Sequence, residues 1–274
     1  MAAFLFPFLT SFVSLHQRHT RHIFAQATLQ GSKLLQEAEA WPDLPLHEAV
    51  YGKTEAVRCR QHVNPLKKEL QVPLAPPDWS AIYPDTHRPL IVDVGCGSGR
   101  FLLAISRRYQ RHNLLGLDIR NKLMERANEW AKLLDLHKSV HFMMANATVS
   151  LESMLATYPG PLSLVTVQFP DPHFKARHKK RRVVQPQLVR AIARIMPRGG
   201  RVFLQSDVEE AVTDMYHTFR QHASAEFDVD LKVECYTKEA IEWQHTNPLG
   251  VPTEREIHTL QDGGMVFRTL FQRI

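Results

Sequence analysis

Cysteine is scarce in this sequence. Cys59, Cys96 and Cys235 are spread over 274 residues and share no metal-ligand spacing. They exclude a disulfide framework and fit a reducing compartment. Long apolar runs are also missing. A membrane-spanning helix needs roughly 20 consecutive apolar residues, and the longest run here, residues 4–13, is broken by Pro7. No membrane association is therefore expected. There is no internal repeat and no long low-complexity tract. Neither a Ser-His-Asp nor a Cys-His arrangement is evident, so nucleophilic catalysis has no candidate.

Acidic residues are missing from the beginning of the chain, where the first is Glu37. Before it stand Phe, Ser, Thr, Gln and His, with Arg18, Arg21 and Lys33 as the cations. Such a composition suits an organellar transit peptide. No Lys or Arg precedes the apolar run, which disfavours a secretory signal. A disordered extension without an address is the alternative, and it would leave the protein in the cytoplasm. Fifteen histidines are present, and His16, His19 and His22 are evenly spaced. The composition around them predicts no regular structure, and no metal site is expected.

What is there in quantity is apolar surface and positive charge. Apolar residues make up 44% of the chain, enough for a sizeable core, and the net charge is +6. A basic balance suggests a polyanionic partner without identifying one. Residues 1–45 read as an extension. Residues 46–89 read as an arm, with Arg58, Arg60, His62, Lys67 and Lys68, followed by a linker carrying Pro73, Pro76, Pro77, Pro84 and Pro89.

From residue 90 to 274 the pattern is that of one α/β domain. Apolar runs at 90–94, 113–117, 140–144, 162–169 and 201–205 predict five strands. Helical segments fall between them, beginning near Arg100, over 122–136 and over 185–196. Strands alternating with helices argue for a doubly wound, mostly parallel sheet of Rossmann-like type. Residues 229–236 and 265–272 show partial alternation with no comparable helix between them. They predict an antiparallel pair on one edge. Asp93, Asp118, Asn146, Asp171 and Asp207 each stand at or just after a predicted strand end. Ligands of open α/β sheets bind at the carboxyl ends of strands, so these side chains are candidates to line one crevice. Any single one also suits a turn or helix cap.

The loop Asp93-Val94-Gly95-Cys96-Gly97-Ser98-Gly99 lies between the first strand and the next helix. Glycines let a backbone turn tightly and approach a ligand. A dinucleotide fingerprint would place its third glycine at position 100, which is Arg. The loop also opens with an acid. Both features disfavour NAD and resemble the loop with which Rossmann-like methyltransferases hold S-adenosylmethionine. A carboxylate at its mouth can attract the ligand's ammonium group. Asp118 can accept both ribose hydroxyls, and Asn146 can offer a donor and an acceptor to adenine.

The most specific segment is Phe169-Pro170-Asp171-Pro172-His173-Phe174-Lys175-Ala176-Arg177-His178-Lys179-Lys180-Arg181-Arg182. Six of the eight residues from 175 to 182 are Lys or Arg. So dense a cluster attracts phosphates and releases counterions. A solvated charge run or a localisation patch would not explain its place after a proline-bracketed acid at a strand end. This stretch resembles the signature of the tRNA (guanine-N7)-methyltransferase family. Arg60-Gln61-His62-Val63-Asn64-Pro65-Leu66 is similar to that family's N-terminal motif. Arg181-Arg182-Val183-Val184-Gln185-Pro186 extends the arm as bacterial members do. Thr253-Glu254-Arg255-Glu256 resembles its C-terminal T-x-x-E substrate loop. The resemblance runs from about residue 50 to the end.

The resemblance implies S-adenosylmethionine as cofactor, tRNA as partner and substrate, and methylation at N7 of a variable-loop guanosine, tRNA position 46. It implies cofactor contacts at Asp93, Asp118, Asn146 and Asp171, with Asp171 also the catalytic acid. Lys175, Asp207 and the span 253–256 match substrate positions, beside the cations Arg177, Lys179, Lys180, Arg181 and Arg182. The sequence departs from many bacterial members in having Asp93 and Asp118 where they have Glu, and Asn146 where an acid is common. A bacterial-type core behind a transit-like segment points to an organelle, the plastid before the mitochondrion. Bacterial-type members work without a protein partner. The competing readings are a non-catalytic RNA-binding protein with a vestigial methyltransferase fold and a methyltransferase of another RNA.

Overall fold

A computed structural model describes residues 63–229, 241 and 243–274. The extension at 1–45, the first three residues of the N-terminal motif and most of the strand expected over 229–236 lie outside the described residues. Among the described residues seven strands form one sheet: β1 (Leu90–Val94), β2 (Asn113–Asp118), β3 (Val140–Met144), β4 (Leu162–Gln168), β5 (Arg201–Ser206), β6 (Phe227–Val229) and β7 (Phe267–Arg273). Their order is β3-β2-β1-β4-β5-β7-β6. The first five pair in parallel, and β7 runs antiparallel between β5 and β6. The expected edge pair is therefore present, with the last strand innermost.

The five residues of β1, Leu-Ile-Val-Asp-Val, are all buried. A strand sealed on both faces needs such a nearly continuous apolar run, interrupted here by Asp93. Successive side chains feed opposite faces. Leu90, Val92 and Val94 join a core with α4 (Ala147–Leu155), α5 (Pro186–Ile195) and α6 (Glu209–Ala223). Ile91 joins a second core with α2 (Arg100–Ser106), α3 (Asn121–Leu133) and Ile257 of α7 (Glu254–Gln261). The short α1 (Trp79–Ile82) is capped by Asp78, which accepts from the amides of Ser80 and Ala81. It brings Trp79 and Tyr83 into the first core, so part of the segment read as a linker is packed against the sheet.

The helix α7 corrects one expectation. The sequence predicts no comparable helix before the last strand, yet eight residues are helical there. Thr253 is the N-cap, its Oγ1 accepting from the Glu256 amide at 3.1 Å. Only Glu256 and Ile257 are buried, so the apolar stripe is one residue wide and leaves little periodicity to read. The helix α6 also has no counterpart in the sequence reading. Its inward residues Ala211, Val212, Met215, Phe219 and Ala223 recur at helical spacing.

One ring dictates two glycines. A Cβ on Gly116 would lie 2.4 Å from Phe142 Cδ1, and one on Gly99 would lie 2.7 Å from Phe142 Cε1 and 2.8 Å from Ala127 Cβ. Gly99 also has φ +82°, a left-handed conformation that side chains disfavour. Gly99→Ala adds backbone strain to overpacking and is expected to cost about 2–4 kcal/mol. Thermal unfolding checks this, with a midpoint lowered on the order of 10 °C.

Candidate active site

The strand order reverses beside β1, which has β2 on one side and β4 on the other. The carboxyl ends of the strands open there into a cavity of about 720 Å³. Gly95, Asp118, Asn146 and Asp171 all line it, as do Lys180, Arg181 and Arg182. Four separate strand ends and the basic arm thus meet at one crevice. Asp93, Gly97, Gly99, Lys175, Arg177, Lys179, Asp207 and residues 253–256 are not among its lining residues.

Gly95, Gly97 and Gly99 all have positive φ. The amides of Gly95 and Cys96 donate to the Leu117 carbonyl at 2.7 and 3.1 Å, folding the loop over the end of β2. Asp118 ties it down from the side, because its Oδ2 accepts from the Gly97 amide at 3.1 Å. The Arg120 guanidinium folds back on the same carboxylate, with Nε to Oδ1 at 2.8 Å and Nη2 to Oδ2 at 2.7 Å. The Arg120 amide also donates to Oδ1 at 3.0 Å, so four hydrogen bonds fill the four lone-pair sites of this carboxylate.

Asp93 is buried, and Thr166 Oγ1 donates to it at 2.6 Å. Burial pushes its carboxyl up to about 6, the charge of Asp118 adding to the rise while Thr166 and Gln168 oppose it by hydrogen bonding. Between the ordinary 3.8 and about 6 the folded state holds the extra proton, so this group makes stability fall as pH rises through that window. Near neutrality the carboxylate prevails.

Asn146 faces the N-terminal arm. Its Nδ2 donates to the carbonyls of Leu70 at 3.1 Å and Pro65 at 3.4 Å. Leu74 is tied nearby, its amide donating to Ser150 Oγ at 3.2 Å. Val63, Pro65, Leu66 and Gln71 consequently form one wall of the cavity. The sequence singled out Val63, Pro65 and Leu66 as part of a motif without placing them at the site, and it gave no role to Gln71, Arg120 or Gln168. Arg120 had a signal, a cation two residues after a strand-end acid.

Beyond β4 the backbone is strained. Phe169 and His173, neither of them glycine, have φ of 48° and 44°. Such conformations are costly and persist where surroundings enforce them. Asp171 stands exposed between them at the cavity edge. The following basic residues form a 3₁₀ turn, Ala176–Arg181. Lys175, Arg177, Lys179 and Lys180 are exposed on it. Arg182 turns inward and is 9% exposed, its Nη1 2.8 Å from Asp214 Oδ1.

The remaining candidates gather at a second locus. Arg255 Nε donates to Asp207 Oδ2 at 2.9 Å. Glu254 accepts from Ser98 Oγ at 2.6 Å and pairs with Arg100, joining α7 to the glycine loop. Glu256 is 2% exposed and accepts from Arg268, Asn247 and Gln205. Gln205 in turn donates to Gln168, whose amide reaches Asp93 at 3.3 Å. A buried polar chain thus connects the T-x-x-E segment with the acid of the glycine loop.

Comparison with known proteins agrees with this architecture. A family described as "Putative methyltransferase" matches residues 87–269. A tRNA (guanine-N(7)-)-methyltransferase of Synechocystis is 45% identical over 217 residues, covering 79% of this chain and 98% of the relative. The chain belongs to the tRNA (guanine-N7)-methyltransferase family. A second member, from Synechococcus elongatus, is 45% identical over 218 residues, 79% of this chain and 97% of its own. Another, from Trichormus variabilis, is 44% identical over 219 residues, covering 80% and 97%.

S-adenosylmethionine is the cofactor of this methyltransferase, and the residues present fit it. A Cβ on Gly95 would meet no protein atom within 4 Å, so the loop leaves open space at the cavity wall where a ligand can approach the backbone. Carboxylates at Asp93 and Asp118 suit a cationic ligand with a diol. Among the described residues no group of three or more His, Cys, Asp or Glu could hold a metal ion, and no helix is long and apolar enough to cross a membrane.

Proposed function

We propose that this chain transfers a methyl group to N7 of a guanosine in tRNA, at variable-loop position 46. The observation that carries the reading is one cavity lined both by Gly95 and Asp118 and by Asp171, Lys180 and Arg181. S-adenosylmethionine supplies an electrophilic methyl group. Guanine N7 has a free lone pair, so no proton has to leave first and no strong base is required. Positioning and charge remain as the protein's tasks.

In this reading Asp93 attracts the ammonium group, and Asp118 accepts the ribose hydroxyls in exchange for the two bonds it now takes from the Arg120 guanidinium. Asn146 shapes the adenine end by holding residues 65–70 above it. Asp171 accepts from the guanine edge and offsets the positive charge that the base acquires. Lys175, Arg177, Lys179, Lys180 and Arg181 meet phosphates. Arg255 and Asp207 present a charged rim to the tRNA, supported from within by Thr253 and Glu256. The chain acts without a protein partner. Residues 1–45 form an extension ahead of the arm at 46–89 and the catalytic domain at 90–274. The acid-poor extension directs the protein to a plastid, a destination in keeping with the cyanobacterial relatives.

Two measurements test this. Methyl transfer to a tRNA whose guanosine 46 is replaced by adenosine is expected to fall to background, and undiminished transfer would refute the assigned position. Asp118→Ala removes a charged acceptor and releases the Gly97 amide. Calorimetry is expected to show cofactor binding weaker by roughly 1.5–3 kcal/mol. Unchanged affinity in a folded variant would move the ribose away from β2.

A further inference from the structure

Arg182 ends the basic run, yet its surroundings differ from those of its neighbours. Its side chain is 9% exposed, whereas Lys179 and Lys180 are exposed to solvent. Its Nη1 is 2.8 Å from Asp214 Oδ1, and Glu210 Oε1 lies 3.9 Å from Nη2, both acids standing on α6. In the other direction Nε donates to the Pro172 carbonyl at 2.9 Å and Nη2 to the His173 carbonyl at 3.4 Å. One planar guanidinium thus bridges a helix behind the sheet and the two residues that follow Asp171. The loop is closed again at its far end, where Gln185 Nε2 donates to the carbonyls of Lys179 and Arg182 at 2.9 and 3.0 Å.

We propose that Arg182 is a positioning residue for methyl transfer: it clamps the loop carrying Asp171 instead of binding phosphate. The backbone supplies the reason a clamp is needed. Left-handed φ values at Phe169 and His173 bracket the acid. Such a loop keeps one shape only where its neighbours impose it. The Phe169 amide is fixed to the Gln205 carbonyl at 2.9 Å, which secures the entry to the loop. Arg182 secures the exit. Ion pairing with Asp214 occupies the guanidinium and leaves little of it for a phosphate. Lysine cannot replace it, because a single ammonium lacks the rigid fork that reaches the carbonyls and Asp214 together.

The inference rests on the assignment of Asp171 to the chemical step, and the test separates the two. Single-turnover methylation is measured at saturating cofactor and tRNA for Arg182→Lys, Arg182→Gln, Asp214→Asn and Asp171→Asn, and for the double variant Arg182→Lys with Asp171→Asn. Cofactor affinity reports that each is folded. Arg182→Lys is expected to slow the step about 10–100-fold, as small displacements of reacting groups do, with Asp214→Asn slower in the same sense. The double variant is expected to be no slower than Asp171→Asn alone. Arg182→Gln is expected to leave the salt dependence of tRNA binding unchanged, whereas loss of a phosphate contact would reduce that slope by about 1. Should Arg182→Gln fail to fold, the Lys and Asn variants still decide the matter. A reduced slope with a normal saturated rate overturns the clamp in favour of phosphate binding. Multiplied losses in the double variant overturn it as well. A wild-type rate for Asp171→Asn overturns the role of Asp171 itself.

Discussion

Asp171→Asn slows the methyl-transfer step about 10²–10³-fold, the usual loss when one electrostatic contact with developing charge is removed. The substitution keeps the shape of the side chain and the strained loop around it, and it removes only the charge. The carboxylate lies at the cavity edge. Its effect on tRNA affinity is therefore expected to be small, because phosphates are met by the neighbouring cations. Asp171→Ala is expected to be at least as slow, since it removes the hydrogen-bond acceptors too. Single-turnover kinetics with both substrates saturating isolates the step, and separate titrations give the two affinities. A normal rate in Asp171→Asn would reduce this residue to a turn-forming acid.

The second large effect belongs to the basic arm. Changing Lys179, Lys180 and Arg181 together to Ala is expected to reduce the log–log salt slope of tRNA binding by about 2–3, at 0.7–0.9 per phosphate lost. Near physiological salt that corresponds to about 10²-fold weaker binding. The rate at saturating tRNA and the affinity for S-adenosylmethionine are expected to stay close to wild type. Arg182 is left out of this set because it is paired with Asp214. Binding titrations at several salt concentrations check the slope. An unaltered slope would mean that the turn at Ala176–Arg181 faces away from the nucleic acid.

The sheet was legible because each buried strand is a short, mostly apolar run of the right length with a polar residue at or just after its end. That rule picks out Asp118, Asn146 and Asp171, which line the cavity, and also Asp93 and Asp207, which do not. Direction and partnership were not legible. Six cations between residues 175 and 182 look alike in sequence, and nothing there separates the exposed Lys180 from the inward Arg182. The choice is made by Asp214, thirty-two residues further on in a helix with no counterpart in the sequence reading. Asn146 offers a similar case. Its amide meets the carbonyls of Pro65 and Leu70, a contact across the fold that periodicity cannot carry. Glu256 reads as the acid of a substrate loop, three residues after Thr253, and only the packing of α7 against β5 and β7 buries it beside Arg268.

The most direct test of the account is nucleoside analysis of unmodified tRNA after incubation with the purified chain and S-adenosylmethionine. The account predicts 7-methylguanosine as the new nucleoside, formed without any added protein. A methyl group found on another atom or another base, or no transfer by a folded protein that binds the cofactor, would contradict it.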